Sequence, residues 1–224
     1  VFIAIIFFSF PNPIFNNGLG FLAWLLLVPL IFLIDSLPLK WTYPVGFVWG
    51  YVAWTVYAYW LSSFHPMAGF VGAFVKAVPM GFVFLIFGLS RRSHPAMAVA
   101  IRLFTWIAQE YVGSVGFLGF PYGAIGYTQW HYIALIQLSS IGGIWLIGAV
   151  VVLPSIYIAT NYIRKSLAPR QTIIFITSFV LLLMPLLVLS QKSFSALQRQ
   201  DSLSVLLVQP NSDPWKAGLM EYTR

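Results

Sequence analysis

The chain has 224 residues, of which 60% are apolar and 8% are charged. A soluble domain carries about 25% charged residues, so this composition excludes a water-soluble monomer, a disordered chain and a nucleic-acid domain with a wet basic face. The net charge of +7 therefore reads as orientation in a membrane, and the absence of cysteine removes disulfides, thiolate metal sites and a cysteine nucleophile from these residues.

In chain order, Val1–Phe10 is an apolar run about half the ~20 residues needed to cross a bilayer. It reads as the end of a first helix, with a cleaved signal peptide as the alternative. Pro11-Asn12-Pro13 breaks it, because proline cannot continue a helix and restricts the residue before it. Further spans are expected at Leu19–Ile34, Pro44–Leu61, Phe70–Leu89, Pro95–Val112, Gly142–Ile163 and Gln171–Ser190. The expected fold is an all-α polytopic membrane bundle of about seven transmembrane helices over residues 1–190. Between the fifth and sixth spans lies Gly113–Ile141, which carries no charge and is too rich in glycine and aromatics for a simple helix.

Charge sets the orientation. Lys40, then Arg91 and Arg92, then Arg164, Lys165 and Arg170 fall in alternate loops, and the other loops have no Lys or Arg. The positive-inside rule places the basic loops in the cytoplasm of a bacterial inner membrane, so the chain leaves the last span on the periplasmic side. Residues 191–224 are more polar. Leu203–Val208 is a short apolar run that ends in the turn formers Gln209–Pro214. It reads as one buried strand, and a lone strand is not stable. A soluble domain continuing past Arg224 is the expectation.

Lys76, Arg102 and Glu110 are charges inside spans, which makes them functional candidates. Arg102 reads either as functional or as snorkelling toward the cytoplasmic face. Lys76 and Glu110 lie at outer depths that differ by about 5 Å, from a rise of 1.5 Å per residue. They can pair, share a zwitterionic head group, or serve as separate structural charges. The histidines have no metal-ligand spacing, and no nucleophile elbow, phosphate loop or dinucleotide fingerprint is present. Gly142, Gly143 and Gly148 are expected to allow close helix packing.

One block is more specific. Trp106-x-x-x-Glu110, then Gly119-Phe120-Pro121-Tyr122, Gly126-x-x-Gln129, Gln137 and Gly142 resemble the membrane domain of bacterial apolipoprotein N-acyltransferases. Val208-Gln209-Pro210-Asn211 followed by Trp215 is similar to the first strand and loop of that family's nitrilase-like domain. Two positions depart from the family pattern. Gly113 stands where the family usually has arginine, and Tyr122 stands where it usually has tryptophan.

The resemblance implies that residues 191–224 begin an α/β nitrilase-like (carbon–nitrogen hydrolase) periplasmic domain. It implies transfer of an acyl chain from a phospholipid donor to the N-terminal cysteine of a diacylglyceryl lipoprotein, through a thioester and with no cofactor or metal. The family's catalytic Glu, Lys and Cys lie beyond this chain, which alone is expected to be inactive. Trp215, Glu110, Lys76, Phe120, Pro121, Tyr122 and Gln129 are the candidate substrate-binding residues. The competing classes are a non-enzymatic membrane scaffold, a decayed copy lacking the catalytic domain, and a transporter. The last would show broken helices in repeated halves, and the sequence has no such symmetry.

Overall fold

The computed structural model describes residues 1–63, 65, 67–116, 119–166 and 168–197. Trp215 and the expected strand at Leu203–Val208 lie outside the described residues. The helices are α1 (Phe2–Ser9), α2 (Leu27–Ser36), α3 (Leu39–Tyr57), α4 (Ala68–Ser90), α5 (Pro95–Val112), α6 (Ile133–Ile136), α7 (Ser139–Ile163) and α8 (Pro169–Leu197). Short 3₁₀ helices at Gly20–Leu25, Tyr59–Ser63 and Ile125–Gln129 complete them. Among the described residues there is no strand. Helical residues occupy each segment expected to span.

Among the described residues three helices are long and apolar enough to cross a membrane: α4, α7 and the Pro169–Leu189 part of α8. Along α8 none of that stretch is buried within the protein, as suits a helix surrounded by lipid.

Local chemistry sets the ends. After α1, buried Asn12 replaces the helix that Pro11 and Pro13 forbid. Its Oδ1 accepts from the N–H groups of Ile14 and Phe15, and its Nδ2 donates to the carbonyl of Phe10. Pro95 occupies the first turn of α5, where a missing N–H costs nothing, and His94 Nδ1 accepts from Ala96 N–H. The loop expected at Asp35–Tyr43 is shorter than the sequence suggested. Asp35 belongs to the last turn of α2, and α3 already starts at Leu39, directly after Pro38.

The core joins α2, α4 and α7 through Leu27, Ile31, Phe84, Phe87, Val151 and Ile156. Helices α3 and α4 approach closely because α3 presents glycines. A Cβ on Gly46 would stand 2.5 Å from Phe84, and one on Gly50 would stand 2.7 Å from Met80. In α7, Gly142 and Gly143 do not mainly serve packing. They break the helix, with Gly143 at φ 64°, a conformation open to glycine.

The basic loops gather at one end. Arg91 donates to the carbonyls of Asp35 and Leu37, and Arg164 donates to those of Ser90 and Ser93. Arg102 does not snorkel. It is fully buried, and its Nη2 donates to both carboxylate oxygens of Asp35 at 2.7 and 2.9 Å. Its other nitrogens donate to Ser90 Oγ and Thr160 Oγ1. One guanidinium thus ties α2, α4, α5 and α7 together, with its donors satisfied as a buried charge requires.

Candidate lipid-facing cleft

The opposite end of the bundle carries a narrow cleft of about 40 Å³. Its walls come from α1, α3, α4 and α5, and residues 120–125 cover it. Lys76, Glu110, Phe120, Pro121 and Tyr122 all line it, so five of the residues singled out in the sequence meet in one place.

Glu110 occupies the last turn of α5 and is 8% exposed. Its Oε1 accepts from the indole N–H of Trp106, one helical turn earlier, and from the backbone N–H of Ile125 at 2.9 Å. The spacing of four residues puts Trp106 and Glu110 on one face of α5. The Ile125 bond pins the start of the 3₁₀ helix to α5. Oε2 is buried without a hydrogen-bond partner among the described residues. It lies against α7 at Gly148, where an added Cβ would stand 3.0 Å away. Of the glycines expected to permit close packing, Gly148 is the one that does so at the cleft.

Lys76, 6% exposed, points from α4 at the other side of the same segment. Its ammonium donates to the carbonyl oxygens of Gly113 and Phe120. It also lies 5.0 Å from the centroid of the Trp54 ring and 5.8 Å from that of Phe120, within cation–π range. Lys76 and Glu110 form no ion pair within 4.0 Å. Each charge is solvated by peptide dipoles of the uncharged segment. The ammonium takes carbonyls where the chain leaves α5, and the carboxylate takes an N–H where the 3₁₀ helix begins. The first part of the uncharged segment, from Gly113 to Ile125, is thereby held by charges from the bundle. Phe120 N–H also donates to the carbonyl of Gly113, closing the loop.

The aromatic cover is built on this frame. Phe120 stacks on Trp60 with centroids 6.1 Å apart and meets Tyr122 at 4.9 Å. Gly123, at φ 89°, turns the chain back beneath Trp54 and Tyr57. Residues of α3, above all Trp54 and Tyr57, complete the cleft and were not read from the sequence as site residues. Their signal was the spacing of three, which sets two amphipathic rings on one helical face. Gln129 is not in the cleft lining. It is fully buried, accepts from Trp24 Nε1 at 3.2 Å, and donates to Gly20 O and Thr128 Oγ1. It clamps the Gly20–Leu25 and Ile125–Gln129 helices together.

Chemically the cleft offers aromatic and apolar walls with one cation and one carboxylate near its rim. Among the described residues no three His, Cys, Asp or Glu side chains gather as metal ligands would.

Comparison with known proteins places this bundle. The family described as the apolipoprotein N-acyltransferase N-terminal domain matches residues 4–157, which include every cleft-lining residue but Phe2. Apolipoprotein N-acyltransferase 1 of Treponema denticola is 28% identical, over 96% of this chain and 40% of its own length. Apolipoprotein N-acyltransferase 1 of Treponema pallidum is 34% identical, over 64% of this chain and 26% of its own length. The apolipoprotein N-acyltransferase of Borreliella burgdorferi is 26% identical, over 94% of this chain and 41% of its own length. The chain thus spans well under half the length of these relatives. No solved structure matches it.

Proposed function

The chain belongs to the apolipoprotein N-acyltransferase N-terminal domain family, and from that premise we propose that it forms the membrane portion of an enzyme that moves an acyl chain from a phospholipid to the N-terminal cysteine of a lipoprotein. The observation that carries this reading is the cleft. Residues picked out by the family-like block, Glu110 and Phe120-Pro121-Tyr122, converge on one apolar volume within the matched region.

Acyl transfer through a thioester needs a thiolate nucleophile, a base and an oxyanion donor. This chain has no cysteine, so its part is to anchor and to present lipid. The Phe120–Tyr122 turn contacts acyl chains, and Lys76 and Glu110 shape the rim on which a head group rests. Gln129 supports that rim from behind, and Trp215 adds an indole beside the acyl or diacylglyceryl chain. The bundle spans the inner membrane about seven times, with its basic end cytoplasmic. Residues 191–224 then begin a periplasmic nitrilase-like domain that carries the catalytic Glu, Lys and Cys. Both lipid substrates sit in the outer leaflet, the face the cleft occupies in this orientation.

The test is the reading frame beyond Arg224, followed by an assay of the protein it encodes. A frame carrying Glu, Lys and Cys in nitrilase-like context, whose product acylates a diacylglyceryl peptide, supports the reading. A stop codon at that point removes it. The purified chain alone should neither form an acyl thioester nor acylate the peptide.

A further inference from the structure

We propose that the groove between the ends of α2 and α7 holds one anionic phospholipid, its phosphate at Lys165 and the first methylenes of an acyl chain along Phe32 and Tyr162. The groove has a volume of about 650 Å³, against about 40 Å³ for the cleft. It is lined by Phe32, Asp35, Ser36, Tyr162, Ile163 and Lys165. It lies at the end of the bundle opposite the cleft, and the inference does not rest on acyl transfer.

The order of residues along both walls is the order of groups in a lipid. Helices α2 and α7 both run toward the basic end, where Arg91 donates to the carbonyls of Asp35 and Leu37, and Arg164 to those of Ser90 and Ser93. On α2, Phe32 precedes Asp35 and Ser36 by about one turn. On α7, Tyr162 and Ile163 close the helix and Lys165 follows it. Both walls therefore pass from ring and hydrocarbon to polar groups in the same direction. Phe32 is 40% exposed and Tyr162 61%, with ring centroids 5.7 Å apart. Exposed amphipathic rings at the ends of membrane helices sit at head-group level.

Charge decides the head group. The carboxylate in the groove is already taken: Arg102 Nη2 donates to both oxygens of Asp35, and Arg91 Nε stands 4.0 Å from Oδ1. Two cations thus face one carboxylate before Lys165 is counted. Arg164, which donates to the carbonyl of Ser90 while Arg102 donates to its hydroxyl, adds to the surplus. Glu110, the other acidic residue among those described, lies at the cleft. Lys165 is exposed, and its side chain makes no hydrogen bond or ion pair among the described residues. Basic residues at a membrane surface attract lipids with anionic heads. An acidic peptide would meet Lys165 but not the rings of Phe32 and Tyr162, so the occupant is a phospholipid with a net negative head.

Native mass spectrometry of the 224-residue chain, released from bilayers of phosphatidylglycerol and phosphatidylcholine in equal amounts, tests it. One phosphatidylglycerol per chain should survive in preference to phosphatidylcholine. A basic residue near an anionic surface is worth roughly 1 kcal/mol, about fivefold in affinity. Lys165→Gln should therefore lower retention about fivefold. Ser36→Trp, at an exposed position of the groove lining, fills the groove and leaves every charge in place, and it should also lower retention. Arg92→Gln, exposed at the same end but outside the lining, should leave retention unchanged. Equal retention of the two lipids, an effect of Arg92→Gln equal to that of Lys165→Gln, or no effect of Ser36→Trp would each overturn the site in favour of diffuse attraction to a basic face.

Discussion

Lys76 donates a 2.8 Å hydrogen bond to the carbonyl oxygen of Phe120, so an ammonium on one helix fixes the first ring of the aromatic turn over the cleft. The same nitrogen bonds the carbonyl of Gly113, and the two acceptors are the ends of one loop. A buried ammonium needs partners in a low-dielectric interior. Here peptide carbonyls supply them, and the cost of burying the charge becomes the reason the loop has one geometry.

Lys76→Met should release that loop. The half-buried carbonyl of Phe120 loses its donor, at up to about 1–3 kcal/mol for an acceptor left unsatisfied, while that of Gly113 keeps the Phe120 N–H. Because the chain has no cysteine, a spin label at Tyr122→Cys reports on this turn alone. Its spectrum should sharpen in the Lys76→Met background and stay broad with Lys76→Arg. Equal mobility in all three backgrounds would show that the rings of Trp60 and Trp54 hold the turn without the ammonium.

Glu110 holds the same segment at Ile125, and its substitutions should separate stability from activity. Glu110→Leu strands the Ile125 and Trp106 N–H groups, again at about 1–3 kcal/mol each. Glu110→Gln keeps an acceptor for them but brings an amide into the space beside Gly148. In the complete enzyme, Glu110→Gln and Pro121→Ala should lower acyl transfer more than protein level. A small displacement of a positioning group costs on the order of 10²-fold in rate. Wild-type rates in both variants at wild-type abundance would reduce this segment to a linker.

The Asp35–Arg102 pair should behave as a buried ion pair does when one partner is removed. Asp35→Asn alone should cost about 3–5 kcal/mol, since it leaves the buried guanidinium uncompensated, and Arg102→Met should cost less, since Arg91 Nε stays 4.0 Å from the Asp35 carboxylate. The double variant Asp35→Leu with Arg102→Met should recover much of that loss, because a well-packed apolar replacement removes both desolvation penalties. Thermal unfolding in detergent reads all three. Additive losses in the double variant would mean that Ser90 and Thr160, not the carboxylate, account for the effect of the guanidinium.

What the sequence disclosed divides along physical lines. Lys76 and Glu110 stood out because charges inside apolar spans are rare, and Phe120-Pro121-Tyr122 because it is a linear motif. The structure joins all five residues in one cleft. The Asp35–Arg102 bond links positions 67 residues apart, and no local pattern reports which helices cross. Asp35 read as a loop residue because the start of α3 carries Lys40 and Thr42, whose polarity hid a helix beginning after Pro38. Gln129 read as a partner of backbone or head groups, and its amide is enclosed by Trp24, Gly20 and Thr128. A glutamine in an apolar segment needs partners, but the sequence does not say whether they are lipid or backbone. Trp54 and Tyr57 did not stand out in the sequence because a ring facing lipid and a ring facing a cleft have the same composition.

The remaining prediction concerns sidedness. The contacts of Arg91 with Asp35 and Leu37, and of Arg164 with Ser90 and Ser93, bring the loops after α2, α4 and α7 to one end. Lys40, Arg91, Arg92, Lys165 and Arg170 are basic residues at or beside these loops, and the cleft end has none in its connecting segments. Under the positive-inside rule, reporter fusions at Arg92 and Arg170 should read as cytoplasmic. With α8 crossing once more, a fusion after Gln200 should read as periplasmic. The acyl chemistry makes the same demand, since an outer-leaflet lipid reaches a catalytic domain only on that face. A cytoplasmic reading at Gln200 would mean an even number of crossings. It would leave the cleft and the continuing chain on opposite sides of the membrane, and the proposed partnership between them would fail.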